Sequence, residues 1–119
     1  MALDFDDADI LTALKQTNEA DLNQADFGIV KMNHDGIVQF YSDGQTTISS
    51  VAADHAKGKV FFTDVAPCTN NFLVSGVFES ELTVDKTLSY VYTVKMKPTQ
   101  IKIRLLKDSE TQYLLSKLY

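Results

Sequence analysis

Cys68 is the one cysteine of the chain. A thiolate is a strong nucleophile, so such a residue can carry a covalently attached group or act in acyl transfer. It can equally be a small buried hydrophobe, the usual role of a free cysteine. A single thiol excludes an internal disulfide and any zinc site built on paired cysteines. A thiol enzyme also needs a positioned base. The two histidines, His34 in a turn and His55 in a polar segment, do not neighbour Cys68 and read as exposed. Tyr41, Tyr92, Gln45 and Ser49 carry hydroxyl and amide groups able to donate hydrogen bonds. Each also has a plainer reading. Tyr41 and Tyr92 can fill a core as strand aromatics, and Gln45 and Ser49 can face water from a loop.

The elements that must position these residues follow from the hydrophobic pattern. Asp6-Asp7-Ala8-Asp9 opens a short amphipathic helix that Asp7 or Asp9 can cap, with Ile10, Leu11 and Leu14 on one face. Glu19 to Gln24 is polar and holds one more helical turn. Phe27 to Met32 and Ile37 to Tyr41 read as a hairpin around Asp35-Gly36, since Asp-Gly supplies positive φ angles. From Ser42 to Lys59 small and polar residues suit short helices. Asn70 or Asn71 caps a helix predicted to run to about Val84, burying Leu73, Val74, Val77, Phe78 and Leu82. Alternation then predicts a strand over residues 87–96, ended by Pro98, and two more strands over Ile101–Leu105 and Tyr113–Leu118. Strands, a block of helices, then strands again mean α+β: a central five-stranded antiparallel sheet, the helical block on one face and an N-terminal helical lid on the other. Residues 1–25 form the expected cap and 26–119 the core.

The 119 residues suit one domain. No segment approaches the run of about 20 apolar residues that crosses a bilayer. The acidic N-terminus lacks the features of a signal peptide, which makes the cytoplasm the expected location. Sixteen acidic against eleven basic residues give a net charge of −5, which argues against nucleic acid as a partner. The basic residues Lys95, Lys97, Lys102, Arg104 and Lys107 read as a solvated strand face.

The layout resembles that of PAS domains, and the residues around Cys68 sharpen it. Phe61-Phe62-Thr63-Asp64-Val65-Ala66-Pro67-Cys68-Thr69 resembles the chromophore-attachment segment of the photoactive yellow protein family. The likeness runs without a gap from Phe27-Gly28 through Asp35-Gly36 and Tyr41 to Thr69. It resumes over the Tyr90 strand and Met96-Lys97-Pro98-Thr99, while the first 25 residues match more in layout than in identity.

The resemblance implies a blue-light photoreceptor whose cofactor is p-coumaric acid (4-hydroxycinnamic acid), held as a thioester. Carried over residue by residue, Cys68 supplies the sulfur, and its backbone N–H bonds the carbonyl. Tyr41 and Gln45 hydrogen-bond the phenolate, and Ser49 braces Tyr41. Val51, Phe61, Pro67, Tyr92 and Met96 line the pocket. This chain departs from the family's archetype at several of these positions. Gln45 replaces a glutamic acid that gives up a proton, Val51 an arginine, Ser49 a threonine and Tyr92 a phenylalanine. Met96 matches a methionine implicated in thermal recovery. The implied output is release of the N-terminal cap to an unidentified signalling protein by a monomer with no membrane or nucleic-acid partner and no enzymatic activity. Two other readings stay open: a PAS module for another small ligand or a protein, with Cys68 merely buried, and a thiol enzyme.

Overall fold

The computed structural model describes residues 3–92 and 98–118. Helices α1 (Ile10–Gln16) and α2 (Glu19–Leu22) precede strands β1 (Gly28–Met32) and β2 (Val38–Tyr41). Then come α3 (Asp43–Ser49), α4 (Ala53–Ala56), a π-helical turn at Phe61–Val65 and a 3-10 turn at Pro67–Thr69. Helix α5 (Ser75–Ser80) leads into β3 (Val84–Tyr92), β4 (Thr99–Lys107) and β5 (Gln112–Leu118).

The strands form one antiparallel sheet in the order β2-β1-β5-β4-β3. Side chains alternate between its faces, and the two faces bury different clusters. On one face Val30, Met32, Ile101, Ile103, Leu105 and Leu114 pack against the helical block, including Phe61, Phe62 and Phe78. On the other, Ile29, Phe40, Leu106, Tyr113 and Leu115 receive Phe5, Ile10, Leu14 and Leu22 from the N-terminal segment. The expected α+β sandwich of cap, sheet and helical block is therefore the observed one. The Asp35-Gly36 turn is also as expected: Gly36 sits at φ 81°, and Asn33 Oδ1 accepts from the backbone N–H groups of Asp35 and Ile37.

Three local expectations are corrected. Asp9 occupies the N-cap of α1, yet neither carboxylate caps the helix by a side-chain bond; Asp7 Oδ1 instead accepts from Asp9 N at 2.9 Å. The helix expected from residue 70 to 84 shrinks to Ser75–Ser80. Asn71 Oδ1 accepts from the N–H groups of Leu73 and Val74 in a turn, and Leu73 and Leu82 are exposed rather than buried. Apolar residues at helical spacing were misleading there, because Glu81 is already extended and the chain enters β3 at Val84, earlier than expected. The continuation of that strand through Val94 and Met96 lies outside the described residues.

The third correction concerns Arg104. It does alternate out of the helical-block core, but it faces the N-terminal cap rather than water and is buried. Its Nη1 donates to the carbonyls of Phe5 at 2.8 Å and Asp7 at 2.7 Å, and its Nε and Nη2 grip the Asp85 carboxylate at 2.8 and 2.9 Å. Lys107 is not fully solvated either: its ammonium donates to the Phe78 carbonyl.

Candidate functional site

Helix α3 is laid against β1 by one hydroxyl. Ser42 caps the helix by accepting from Gln45 N, and the same Oγ accepts from Ile29 N at 2.8 Å. That double bond-sharing directs Gln45 across the sheet. Its side chain lies directly over Gly28, where an added Cβ would sit 2.2 Å from Gln45 Oε1 and clash. The glycine is thus needed for close approach, not for its backbone freedom. Gln45 is 1% exposed.

Around this amide the fold gathers hydroxyls. Tyr41, at the end of β2, places its Oη 2.5 Å from Ser49 Oγ at the end of α3. Ser49 Oγ also accepts from Val51 N at 3.1 Å, so its own hydrogen is free to go to Tyr41. Gln45 Nε2 donates to Tyr92 Oη at 3.3 Å, and Tyr92 Oη lies 2.9 Å from Ser116 Oγ on β5. Burial pushes the Tyr41 phenol above its ordinary value, with the Ser49 hydroxyl and the Gln45 amide pulling the other way. Burial raises Tyr92 further, opposed by Ser116 and Gln45. Both phenols are therefore protonated donors at neutral pH.

Cys68 lies in the 3-10 turn that Pro67 opens, partly buried against the same core cluster as Tyr41 and Tyr92. Its carbonyl is clamped from two sides, by Tyr90 Oη at 2.5 Å and Asn71 Nδ2 at 3.1 Å, while Asn71 Nδ2 also donates to Tyr90. Val51 packs on this cluster and Phe61 is fully inside it, edge-on to Phe62. Pro67 is exposed; it shapes the turn instead of filling the interior. Met96 lies outside the described residues. Both histidines are exposed, with His34 Nε2 2.9 Å from the Asp108 carbonyl.

Sequence reasoning gave no part in the site to Tyr90, Ser42 or Ser116, and to Asn71 only that of a helix cap. Ser42 had a local signal, a serine just before a helix. The others depend on tertiary structure: Ser116 stands opposite Gly28 on β1 and Ile103 on β4, and the Tyr92 side chain reaches it from β3, two strands away.

The residues present fit a phenolic group reaching from Cys68 toward Gln45. The donors are neutral hydroxyls and an amide, the set that stabilises a buried phenolate by hydrogen bonds. Gln45 Oε1 is a buried side-chain oxygen without a hydrogen-bond partner. Such an atom costs about 1–3 kcal/mol, which marks position 45 as shaped by something other than stability.

A five-stranded antiparallel sheet with a helical block on one face has the layout of a PAS domain. The PAS domain of an HTR-like protein from Haloarcula marismortui shares this fold, with a TM-score of 0.60 at 12% identity over 89% of this chain and 95% of that one. The photoactive yellow protein domain of the sensor histidine kinase Ppr from Rhodospirillum centenum is more similar, with a TM-score of 0.82 at 22% identity over 89% of this chain and 97% of that one. A photoactive yellow protein of Halochromatium salexigens is 32% identical over 106 residues, 87% of this chain and 85% of the relative. The chain belongs to the photoactive yellow protein family, and its role is that of a PAS-fold photoreceptor-like domain. No family model matches it. No helix among the described residues is long and apolar enough to cross a membrane.

Proposed function

We propose that this chain is a cytoplasmic blue-light photoreceptor in which Cys68 holds p-coumaric acid as a thioester. The observation that carries the reading is the buried cluster of neutral donors, Tyr41, Ser49 and Gln45, packed on the same face of the sheet as the partly exposed Cys68 thiol. When bound, the group supplies a conjugated phenolate that absorbs blue light and turns about its central double bond from trans to cis.

The chain's own residues do the rest. The Cys68 sulfur would hold the acyl carbon while its N–H bonds the carbonyl oxygen. Tyr90 and Asn71, by bonding the Cys68 carbonyl, would hold the turn that carries the thiol. Tyr41 and Gln45 would donate to the ring oxygen, and Ser49 would keep the Tyr41 hydrogen pointed inward. Val51 and Phe61 would exclude water from the ring. Gln45 holds a hydrogen bond but has no proton to release, so protonation must come from water or a more distant group. The cap of residues 3–25 is the element to be released, since its packing cluster lies across the sheet from the pocket and its helices are too short to persist alone. A downstream protein would read that release.

The test is attachment. Protein made without pigment is incubated with an activated ester of p-coumaric acid, and the Cys68 peptide is weighed by mass spectrometry. The expected result is one acyl group on Cys68, a visible band, and neither in Cys68→Ala. No adduct on the wild type would leave a PAS sensor module with a merely buried thiol.

A further inference from the structure

Gln45 lies between two tyrosine–serine pairs. One is Tyr41 with Ser49, and the other is Tyr92 with Ser116. Tyr92 is 1% exposed and Ser116 is fully buried, so water completes neither hydroxyl.

A phenol oxygen has two lone pairs and one hydrogen. At Tyr92 the Gln45 N–H fills one lone pair, and Ser116, since either hydroxyl of that pair can donate, is able to fill the other. The Tyr92 hydrogen is then left for a further acceptor. The same count holds across the amide, where Ser49 can donate to Tyr41 and free its hydrogen. The amide nitrogen has a second hydrogen as well. Two phenol hydrogens and one amide hydrogen are therefore available around Gln45, and an acceptor that takes three hydrogen bonds at once is typically an anionic oxygen.

We propose that Tyr92 is a third hydrogen-bond donor to the phenolate, with Ser116 as its positioning residue. This rests on the reading that Cys68 carries a phenolic pigment. In a site with Val51 beside the ring and no charged side chain among Tyr41, Gln45, Ser49, Tyr92 and Ser116, it supplies by count what a cation would supply by charge. If Tyr92 only lined the pocket, its hydrogen would stay on Ser116.

Two measurements test it. In pigment-loaded protein, the absorbance midpoint between phenol and phenolate is titrated for wild type, Tyr92→Phe, Ser116→Ala and, as reference, Tyr41→Phe. Tyr92→Phe should raise the midpoint by about one to two units, comparable with Tyr41→Phe, and Ser116→Ala should raise it less. In pigment-free protein, the side-chain amide resonances of Gln45 should move in Tyr92→Phe, because one N–H loses its acceptor. A midpoint moved by Tyr41→Phe but not by Tyr92→Phe overturns the inference and leaves the photoreceptor reading intact. Unmoved Gln45 resonances overturn the link between Gln45 and Tyr92 regardless of pigment. Failure of the wild type to load at Cys68 overturns both. Should Tyr92→Phe not fold, Ser116→Ala decides: an unchanged midpoint there removes the positioning role and the free hydrogen with it.

Discussion

An amide at position 45 donates more weakly than a protonated carboxylic acid, and that difference has a colour. With the proposed pigment on Cys68, the ground-state charge would sit mostly on the ring oxygen, and excitation would move it toward the carbonyl. A stronger donor at the ring oxygen lowers the ground state more than the excited state, so Gln45→Glu should shift the absorption to the blue. Infrared difference spectra should then show a protonated-carboxyl band lost on illumination in that variant alone. An unshifted maximum would mean that position 45 does not face the pigment. Tyr41→Phe removes a hydrogen bond to a charged group, worth about 1.5–3 kcal/mol. The pigment midpoint should therefore rise by about one to two units, at 1.36 kcal/mol per unit; a titration with an unmoved midpoint would remove Tyr41 from the phenolate. Cys68, Tyr41, Gln45 and Ser49 were legible in the sequence because they lie on one ungapped stretch with a distinctive run around the thiol. The plainer reading of Gln45 and Ser49 as loop residues facing water fails, since both are buried in α3, while Tyr41 does sit in the core as a strand-end aromatic and adds its bond to Ser49. Ser116 was not legible, since a serine within a run of strand leucines shows no partner until strand register is known. Pro67 opens the 3-10 turn that carries Cys68 and is exposed there.

At the scale of elements, the cap is fastened more firmly than an apolar stripe would manage. Period-2 alternation rightly set Arg104 off the helical-block face, but alternation cannot say whether the opposite face meets water or another layer. Arg104→Met keeps much of the aliphatic stem and loses every donor to Phe5, Asp7 and Asp85. The cap should loosen by about 1.5–3 kcal/mol, the range for hydrogen bonds involving a charged group. Hydrogen exchange should accelerate in α1 and not in β4; equal protection in both proteins would show the guanidinium dispensable. A second tie joins Lys15 Nζ to Asp108 and Glu110 at 2.7 Å each. Burial pushes the Asp108 carboxyl up, but the Lys15 ammonium and the N–H groups of Glu110 and Thr111 outweigh it, and the net direction is down. A depressed carboxylate stabilises above its unfolded value, about 3.9, and loses that effect as pH falls through its folded value. The cap should stay docked from neutral pH to about 5 and loosen only in stronger acid, which Leu14 methyl shifts would follow. Loosening that began near neutral pH would show that the Lys15–Asp108 tie does not govern docking.

Across the whole molecule, one strand serves both layers. Leu114 and Leu115 are adjacent in β5, are both fully buried and belong to opposite clusters. Truncating either to alanine should cost about 2–5 kcal/mol in urea unfolding. Leu114→Ala should also disturb the pigment band, and Leu115→Ala the exchange of α1; identical effects from both would deny the separation of faces. The layers were legible from the order of helices and strands, but strand order was not, because no residue in β5 announces a central position. That position matters in time as well as in space. The strand at the middle of the sheet is the last of the five along the chain, so a ribosome that has delivered residues up to Lys107 has made two hairpins with nothing to join them. Gln45 rests over one half and Tyr92 belongs to the other. Until residues 112–118 emerge, the two halves of the pocket are separate pieces of nascent chain, and Cys68 stands as an ordinary thiol open to whatever electrophile or oxidant reaches it first.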